Sequence, residues 1–421
     1  MFGPYFYNSC WMLLCLREAM LFDRASSDVR QTQSQLLRSI VDQNKDTWFG
    51  KSHSFSSIRD VCDFQEVVPL TTYEDYGEPV QRIARGDASV LTSEPVELLE
   101  PTSGTTSGEK LIPYTATLRN SFQRAIKTWI WDLFYKRPSA RSGFAYWSVS
   151  PLAGTRRTTE SRIPIGFEND ASYLGTYEQW FLSKSLAVPP EVALSKSVRS
   201  AQYATLFFLL RCPQLSLISV WSPTFLQQLI EYLRSNWPQI THDVRHGAIS
   251  GELIRQLPYS LAGSFEPQPE RAEHIEAIMS CSEPDSGWVR KIWPELAMVS
   301  CWTDGPSSCY AAKLQQSIQG IEIQPKGLLA TEAFVSIPLV GCPGSRLDIR
   351  SHFFEFQHVD ASGAITGSGP LLAHQLQEGE QYRVIVTTSG GLYRYQLMDQ
   401  VEVVSFYKQV PLLRFLGKCD A

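Results

Sequence analysis

The apolar positions in the first three-quarters of the chain recur mainly at helical spacing. Between Ser27 and Asn44 they return every three or four residues, which predicts an amphipathic helix that Ser27 or Asp28 can cap. A second such helix begins at Ser222-Pro223, because serine accepts from the free N–H groups of a first turn and proline fits the first helical position.

After about Phe334 the pattern becomes that of β-strands. Runs rich in β-branched and aromatic residues alternate with glycine-containing turns, at 334–340, 352–359, 382–387, 392–397 and 401–407. Helix-rich material followed by a β-meander predicts the α/β class, with an α/β body at about 1–333 and a barrel-like β-rich part at about 334–416.

Composition narrows the class of protein. The 421 residues are 43% apolar and 19% charged, which is typical of a globular chain with two or three compact units or one large composite unit. A formal charge of −5 argues against nucleic acid as a partner. No apolar run reaches the roughly 18 residues of a spanning helix, so we expect no membrane partner.

Cysteine usage and the N-terminus bear on localisation. The nine cysteines are odd in number and include no Cys-x-x-Cys pair, which predicts reduced core thiols in a cytoplasmic protein. The apolar run 11–16 is not preceded by a basic residue or followed by a small-x-small cleavage site. We therefore expect a buried helix there rather than a secretory signal.

The segment 102–110 is the most informative stretch for chemistry. It places hydroxyl side chains around two glycines and ends in a lysine, in the order Thr102, Ser103, Gly104, Thr105, Thr106, Ser107, Gly108, Glu109, Lys110. Inward backbone N–H groups, hydroxyls and an ammonium suit a polyphosphate. The spacing is not that of the common P-loop, and Pro113 predicts a loop between two strands. The alternative is a flexible surface loop.

Two later carboxylates strengthen the polyphosphate hypothesis. Glu332 follows the apolar run 327–329 and a threonine, and beside a triphosphate it would be the oxygen ligand that Mg²⁺ requires. Asp399 comes just after a predicted strand, where a carboxylate can accept both hydroxyls of a ribose.

Five motifs in order carry a family resemblance: TSGTTSGEKLIPYT, CWTDG, LLATEAFVSIP, GLYRYQLMDQVEV and RFLGKCD. Their order and spacing resemble the acyl-acid amido synthetases of the Gretchen Hagen family, a branch of the adenylate-forming superfamily. The resemblance runs from about residue 35 to the last residue and includes the family-like stretch VPLTTYED at 68–75. It implies a large adenylating domain, 1–416, with two α/β sheet subdomains and a β-barrel-like subdomain. Residues 417–421 would be a hinge stub leading to a small C-terminal domain that is absent from this chain.

The resemblance also implies residue roles. Thr102 to Lys110 would bind the phosphates, and Glu332 would hold Mg²⁺. The remaining nucleotide contacts would be Leu329 and Ala330 beside the adenine, Thr331 at the α-phosphate, Asp399 at the ribose and Lys418 near the ribose, with Asp420 as the hinge aspartate. Met398 departs from the pattern, since many members have glycine there.

The implied activity is that of an ATP- and Mg²⁺-dependent ligase. A small carboxylic acid would be activated as its acyl-adenylate with release of pyrophosphate, and the acyl group would pass to an amine, such as an amino acid. Two alternatives stay open: a thiol acceptor, either coenzyme A or a carrier protein, and a homologue that binds the nucleotide without catalysis.

Aromatic residues suggest where the acid would bind. Trp221, Trp302 and Phe334 could line an apolar acyl pocket, although each has core packing as its alternative interpretation. His242 and His246 share a helix face but have no third ligand of suitable spacing, so we expect surface residues rather than a zinc site.

Overall fold

The computed structural model describes residues 3–102, 109–148, 157–167, 174–261, 263–281 and 287–419. The helices are α1 Pro4–Ala25, α2 Val29–Asn44, α3 Trp48–Ser52, α4 Val61–Val67, α5 Gly77–Arg85, α6 Ala116–Lys136, α7 Pro138–Ser142, α8 Thr176–Ser183, α9 Val198–Leu210, α10 Pro223–His246, α11 Pro269–Met279, α12 Trp288–Ile292 and α13 Ser308–Ser317.

The strands are β1 Leu98–Thr102, β2 Lys110–Tyr114, β3 Phe144–Trp147, β4 Arg157–Thr158, β5 Pro164–Ile165, β6 Leu215–Ser219, β7 Met298–Cys301, β8 Glu322–Pro325, β9 Ser336–Ile337, β10 Ser345–Leu347, β11 Phe353–Val359, β12 Leu371–Leu372, β13 Gln381–Thr387, β14 Tyr395–Tyr407 and β15 Val410–Lys418. The chain divides into two compact units. The first comprises Met1–Leu14, Leu133–Gly154 and Asn169–Lys326, and the second comprises Cys15–Asp132, Thr155–Glu168 and Gly327–Ala421.

The first unit is built around a parallel sheet. Its strands follow the order β3-β6-β7-β8, and every residue of β6 and β7 is buried. Burial along the whole of a strand means that both sheet faces are covered. Side chains of α9, α10, α11, α12 and α13 supply that cover and form one apolar core with the sheet.

Capping explains where α10 begins and ends. The Ser222 hydroxyl accepts from the N–H of Thr224 at 3.2 Å, and Pro223 occupies the first helical position. Leu226, Leu229 and Leu233 then bury one face of the helix. The helix ends at Gly247 in the left-handed conformation, which confirms the predicted helix.

The second unit contains two sheets. Four strands pair in the order β2-β1-β5-β4, and seven antiparallel strands pair in the order β12-β11-β13-β14-β15-β10-β9. In this unit α2 is capped by Asp28, whose carboxylate accepts from the N–H of Gln31 at 3.0 Å. Its buried face includes Val29, Leu37 and Val41, as the apolar spacing predicted.

The β-rich pattern was right in kind and less accurate in detail. The two runs at 392–397 and 401–407 form one strand, β14, and the run at 334–340 contributes only the two residues of β9. Asp399 therefore lies within a strand rather than after one. The bounds of the large adenylating domain, 1–416, and of the hinge stub, 417–421, stay a prediction.

Two expectations about the N-terminal run and the cysteines need correction. Residues 11–16 belong to α1 and are only partly buried, since Trp11 is 1% exposed and Leu13 59% exposed. Cys15 and Cys301 are buried thiols, whereas Cys62, Cys281 and Cys309 are exposed. In the described residues, no helix combines the length and the apolar character needed to cross a membrane.

Candidate nucleotide site

An antiparallel hairpin of the second unit carries the ends of the glycine- and hydroxyl-rich loop. Thr102, the last residue of β1, pairs with Lys110, the first residue of β2. The loop thus joins two strands, as Pro113 predicted. The phosphate-binding calls at Ser103, Gly104, Thr105, Thr106, Ser107 and Gly108 lie outside the described residues.

Tyr73 positions the lysine end of this hairpin. Its phenolic oxygen accepts from the backbone N–H of Leu111 at 2.7 Å, and the Lys110 ammonium lies 5.4 Å from the centre of its ring. A cation over an aromatic face is stabilised by the ring quadrupole. Glu109, which directly precedes Lys110, forms an exposed ion pair with Arg157 at 2.6 Å. The Glu109 carboxylate is therefore paired with Arg157, and the Lys110 ammonium contacts the Tyr73 ring instead.

A tight turn carries Thr331 and Glu332. Ala330 and Ala333 exchange backbone hydrogen bonds of 3.0 and 3.3 Å, which leaves Thr331 and Glu332 at the tip. The hydroxyl of Tyr114, at the end of β2, donates to the backbone oxygen of Thr331. This hydrogen bond ties the turn to the hairpin that carries Lys110.

The base of the same turn requires a glycine. Gly327 has a φ of +73°, and a Cβ there would lie 2.3 Å from the backbone oxygen of Ser336. The Ser336 hydroxyl in turn accepts from the N–H of Leu328 at 2.9 Å. Only a residue without a side chain allows the two arms to approach this closely.

The ribose aspartate and the C-terminal lysine are paired across two strands. Asp399 in β14 lies opposite Lys418 in β15, and Asp399 is only 2% exposed. Met398 has a φ of +62°, in the left-handed region that glycine favours, and its oxygen accepts from the N–H of Cys419 at 2.8 Å. The residue type thus departs from the glycine that the family resemblance implies at this position, while the backbone keeps a glycine-like conformation.

Electrostatic coupling shows that these groups converge. Burial raises the pKa of Glu332, and the ammonium groups of Lys418 and Lys110 oppose that effect. Burial also raises the pKa of Asp399 to about 7, while Lys418 lowers it and Glu332 raises it further. The geometry agrees with this coupling, because Asp399 lies opposite Lys418 and Tyr114 ties the turn of Glu332 to the hairpin of Lys110. Two carboxyl groups and two ammonium groups therefore form one cluster in the second unit.

A tyrosine wall beside the cluster was not predicted from the sequence. Burial raises the pKa of Tyr395, and the charges of Glu332 and Asp399 raise it as well. Tyr73, whose ring contacts Lys110, also contributes to that shift, so the two tyrosines lie near each other. The sequence signal that points to this wall is the family-like stretch 68–75, which contains Tyr73.

A buried ion pair fixes the strand that carries Tyr395. Arg394 donates from Nε to Glu355 Oε2 at 3.0 Å and from Nη2 to Glu355 Oε1 at 3.0 Å, and both side chains are almost fully buried. Its remaining nitrogen donates to the backbone oxygens of Gln65 and Val68 at 2.8 and 2.6 Å. Removing one partner of such a pair leaves a buried charge uncompensated.

The same strand is also tied to the family-like stretch. Thr71 bridges to Tyr395, and its hydroxyl donates to the oxygen of Tyr393 at 2.8 Å. The N–H of Tyr393 donates to the hydroxyl of Tyr76 at 2.7 Å. The segment that contains Tyr73 is therefore fixed against the strand that contains Asp399.

The aromatic residues proposed for the acyl pocket belong to different units. In the first unit Trp221 and Trp302 follow β6 and β7, their ring centres are 5.7 Å apart, and Lys326 lies 4.9 Å from the Trp221 ring. Ligands commonly bind at this carboxyl edge of a parallel sheet. In the second unit Phe334 is 6% exposed and its N–H donates to Nε2 of His352 at 3.3 Å. The role of all three in an acyl pocket stays a prediction.

The histidine pair gives no sign of a metal centre. His242 and His246 have ring centres 4.3 Å apart, and His242 lies 3.4 Å from the Asp243 carboxylate. That carboxylate already accepts from Tyr203 and Ser250. No group of three potential ligands for a metal ion occurs in the described ranges. The hinge call at Asp420 lies outside those ranges.

The fold is that of a mixed α/β protein with a cluster of buried charged groups, and comparison with known proteins identifies the family. The GH3 family N-terminal domain matches residues 19–323, and the GH3 family central domain matches residues 346–418. The chain therefore belongs to the GH3 family, whose members are adenylate-forming enzymes. The resemblance drawn from the five motifs is confirmed.

Curated proteins that are similar to this chain include plant amido synthetases. Indole-3-acetic acid-amido synthetase GH3.10 of Arabidopsis thaliana is 25% identical, with 94% of this chain and 72% of that protein covered. Indole-3-acetic acid-amido synthetase GH3.4 of the same plant is 24% identical, with 92% of this chain and 66% of that protein covered. The chain thus spans about two-thirds to seven-tenths of the length of these relatives.

Solved structures confirm the predicted fold. The AtGH3.15 acyl acid amido synthetase in complex with 2,4-DB matches with a TM-score of 0.82 at 22% identity, over 100% of this chain and 72% of that one. A second GH3.15 acyl acid amido synthetase structure matches with a TM-score of 0.78 at 20% identity, over 95% of this chain and 71% of that one.

Proposed function

We propose that this protein is an ATP-dependent acyl-acid amido synthetase. It activates a small carboxylic acid as the acyl-adenylate and transfers the acyl group to an amine, such as an amino acid. The observation that supports the proposal is the cluster of Lys110, Glu332, Asp399 and Lys418, in which Asp399 lies opposite Lys418 and Tyr114 ties the turn of Glu332 to the hairpin of Lys110. The names of the relatives, all amido synthetases, support the same reaction class.

The chemistry is a pair of displacements. A carboxylate oxygen of the acid attacks the α-phosphorus of ATP, and the bond to pyrophosphate breaks. The amine nitrogen then attacks the acyl carbon, AMP leaves, and the nitrogen loses a proton. No nucleophilic side chain is required, so the protein acts by positioning and by charge stabilisation.

Each residue of the cluster has a role in the first step. Lys110, held by Tyr73, would stabilise negative charge on the phosphates, and Thr331 would contact the α-phosphate from the tip of its turn. Asp399 would accept the ribose hydroxyls, with Lys418 across the strand pair limiting the cost of burying its charge. Leu329 and Ala330, which precede Thr331, would flank the adenine.

Glu332 has the properties of a magnesium ligand. It is a half-buried carboxylate at the tip of a turn, and no side-chain partner occupies it in the part of the chain that the structure describes. Mg²⁺ prefers one or two protein carboxylates together with phosphate oxygens and water. When bound, the ion would neutralise charge on the phosphates.

Substitution of Glu332 tests the proposal. We expect Glu332→Gln to abolish acid-dependent ATP–pyrophosphate exchange, because the amide lacks the charge that a divalent ion requires. Glu378→Gln, which removes an exposed carboxylate outside the cluster, is the matched control and should leave exchange unchanged. Undiminished exchange in Glu332→Gln would remove Glu332 from the mechanism.

Two further measurements separate the alternatives. Offering hydroxylamine, amino acids and coenzyme A to the preformed adenylate, followed by mass analysis of the product, distinguishes an amine acceptor from a thiol acceptor. Nucleotide binding without pyrophosphate release across a broad panel of acids would favour a non-catalytic homologue. A cytoplasmic location is part of the proposal and is supported by the nine cysteines, which are odd in number and include no Cys-x-x-Cys pair.

A further inference from the structure

The second unit contains a cavity that is separate from the charge cluster. It has a volume of about 310 Å³ and is lined by one face of α2, by the segment 58–62 that leads into α4, and by Leu372 of β12. None of its lining residues belongs to the proposed nucleotide site. We call it the arginine cavity, after its lining residues Arg30, Arg38 and Arg59.

The guanidinium groups of the arginine cavity are poorly neutralised. Neither Arg30 nor Arg59 forms an ion pair through its side chain with any residue of the described ranges, and Arg38 reaches only Asp42, at 3.8 Å between two exposed side chains. An exposed pair of this kind contributes little. Asp60, a carboxylate in the lining, is already used as the cap of α4, where it accepts from the N–H of Asp63 at 3.0 Å.

This local charge contrasts with the rest of the chain. The formal charge of the whole protein is −5, yet three arginines converge on one concavity. Arg30 and Arg38 are about two turns apart on α2, and both line the cavity. Guanidinium groups carry planar forks of donors that match carboxylate and phosphate oxygens.

The floor of the arginine cavity is apolar. Leu37 and Val41, on the same face of α2, are each 2% exposed, and Leu372 contributes a further aliphatic surface. Ligand sites typically combine such a floor with a few placed polar groups, and a volume near 300 Å³ lies at the small end of their range. The lining therefore suits a small amphipathic anion rather than a bare ion or a polyanion.

We propose that the arginine cavity binds an organic oxyanion, either a carboxylate or a phosphate monoester, with a compact apolar body. Arg30 and Arg59 hold the oxyanion, and Leu37, Val41 and Leu372 contact the apolar body. The proposal does not depend on the ligase activity, because no residue of the arginine cavity belongs to the nucleotide site.

Cys62 provides a built-in reporter of occupancy. Its thiol is exposed and it lines the arginine cavity, so a bound ligand should shield it from iodoacetamide. The rate of alkylation is read by peptide mass spectrometry during titration with hexyl phosphate or hexanoate. At ten times the dissociation constant we expect the Cys62 rate to fall about tenfold, because only the free protein reacts. Cys281 and Cys309, exposed thiols outside the cavity, should react at an unchanged rate.

Control ligands test the two halves of the chemistry. Hexanol lacks the charge and inorganic phosphate lacks the apolar body, so each should protect Cys62 far less than hexyl phosphate. Equal protection by hexanol would overturn the role of the arginines, and equal protection by inorganic phosphate would overturn the role of the apolar floor. Tighter binding of hexyl phosphate or of hexanoate would support the proposal and assign its oxyanion.

Variants of the full chain complete the test. The double variant Arg30→Gln/Arg59→Gln should raise the ligand concentration for half-protection at least tenfold, whereas Arg199→Gln, an exposed arginine of the first unit, should leave it unchanged. The substituted residues Arg30, Arg59 and Arg199 are all exposed, so these variants should still fold. Saturable protection that persists in the double variant, or no saturable protection in the natural protein, would overturn the proposal.

Discussion

Gly327 gives the sharpest test of how the turn that carries Glu332 is built. In Gly327→Ala, the new Cβ would lie 2.3 Å from the backbone oxygen of Ser336, and the alanine would have to keep a φ of +73°. Because Ser336 also accepts from the N–H of Leu328, the two arms cannot separate without breaking that hydrogen bond. The substitution should therefore displace the tip with Thr331 and Glu332.

Gly341 supplies a matched control for the magnitude. It also lies in the second unit, has a φ of +77°, and a Cβ there would meet nothing within 4 Å. A left-handed alanine costs about 1–2 kcal/mol, partly offset by about 0.4–1 kcal/mol from the less flexible unfolded chain. Both variants share this net cost, while overpacking against Ser336 adds a further 1–3 kcal/mol, roughly, in Gly327→Ala.

Urea unfolding of both variants measures the difference. We expect Gly327→Ala to be less stable than Gly341→Ala by about 2 kcal/mol, given the overpacking cost. Its affinity for ATP in the presence of Mg²⁺ should also fall, whereas Gly341→Ala should bind normally. Equal stability and equal ATP affinity in the two variants would refute the account of the turn.

Two further predictions concern Met398 and Asp348. Because Met398 has a φ of +62°, Met398→Val should be less stable than Met398→Gly by about 1–2 kcal/mol in urea unfolding, and the opposite order would show that the left-handed conformation is not costly. Burial raises the pKa of Asp348 to about 7, so the native state favours the protonated carboxyl and stability should decline as pH rises from about 4 to about 7. Asp348→Asn should remove about 3 kcal/mol of that decline between pH 5 and pH 8, measured as the unfolding free energy at the two pH values, whereas identical pH slopes in the two proteins would contradict the assignment.

Local sequence signals predicted the elements whose formation is determined by neighbouring residues. The helix at Ser222-Pro223 needs only a cap, a first-turn proline and an apolar face, and all three are adjacent in sequence. The strand pairing on both sides of the loop 103–108 was also predictable, because Pro113 disfavours a helix directly after Lys110. In each case the deciding interactions span a few residues.

Long-range pairing was not readable in the same way. Asp399 and Lys418 are 19 positions apart, and only the register of β14 against β15 places them opposite each other. The two predicted runs join into β14 although Met398 lies between them in a left-handed conformation, which no propensity favours for methionine. Tertiary contacts decide both features.

The order of the motifs predicted the charged residues of the candidate site, but it did not predict the tyrosines beside them. Glu332 and Asp399 were singled out as carboxylates, but their shared environment depends on folding. Tyr73 and Tyr395 resemble ordinary core aromatics in the sequence, since they come together only when the segment at Thr71 bridges to Tyr395. An aromatic residue carries no local mark of which neighbour it will meet.

The most direct test of the central claim is a crystal structure of the protein with ATP and Mg²⁺. The account predicts one nucleotide in contact with all three regions: Lys110 at the phosphates, Glu332 at the metal ion and Asp399 hydrogen-bonded to the ribose hydroxyls. A nucleotide bound elsewhere, or one that reaches Lys110 while Asp399 contacts no part of it, would contradict the account.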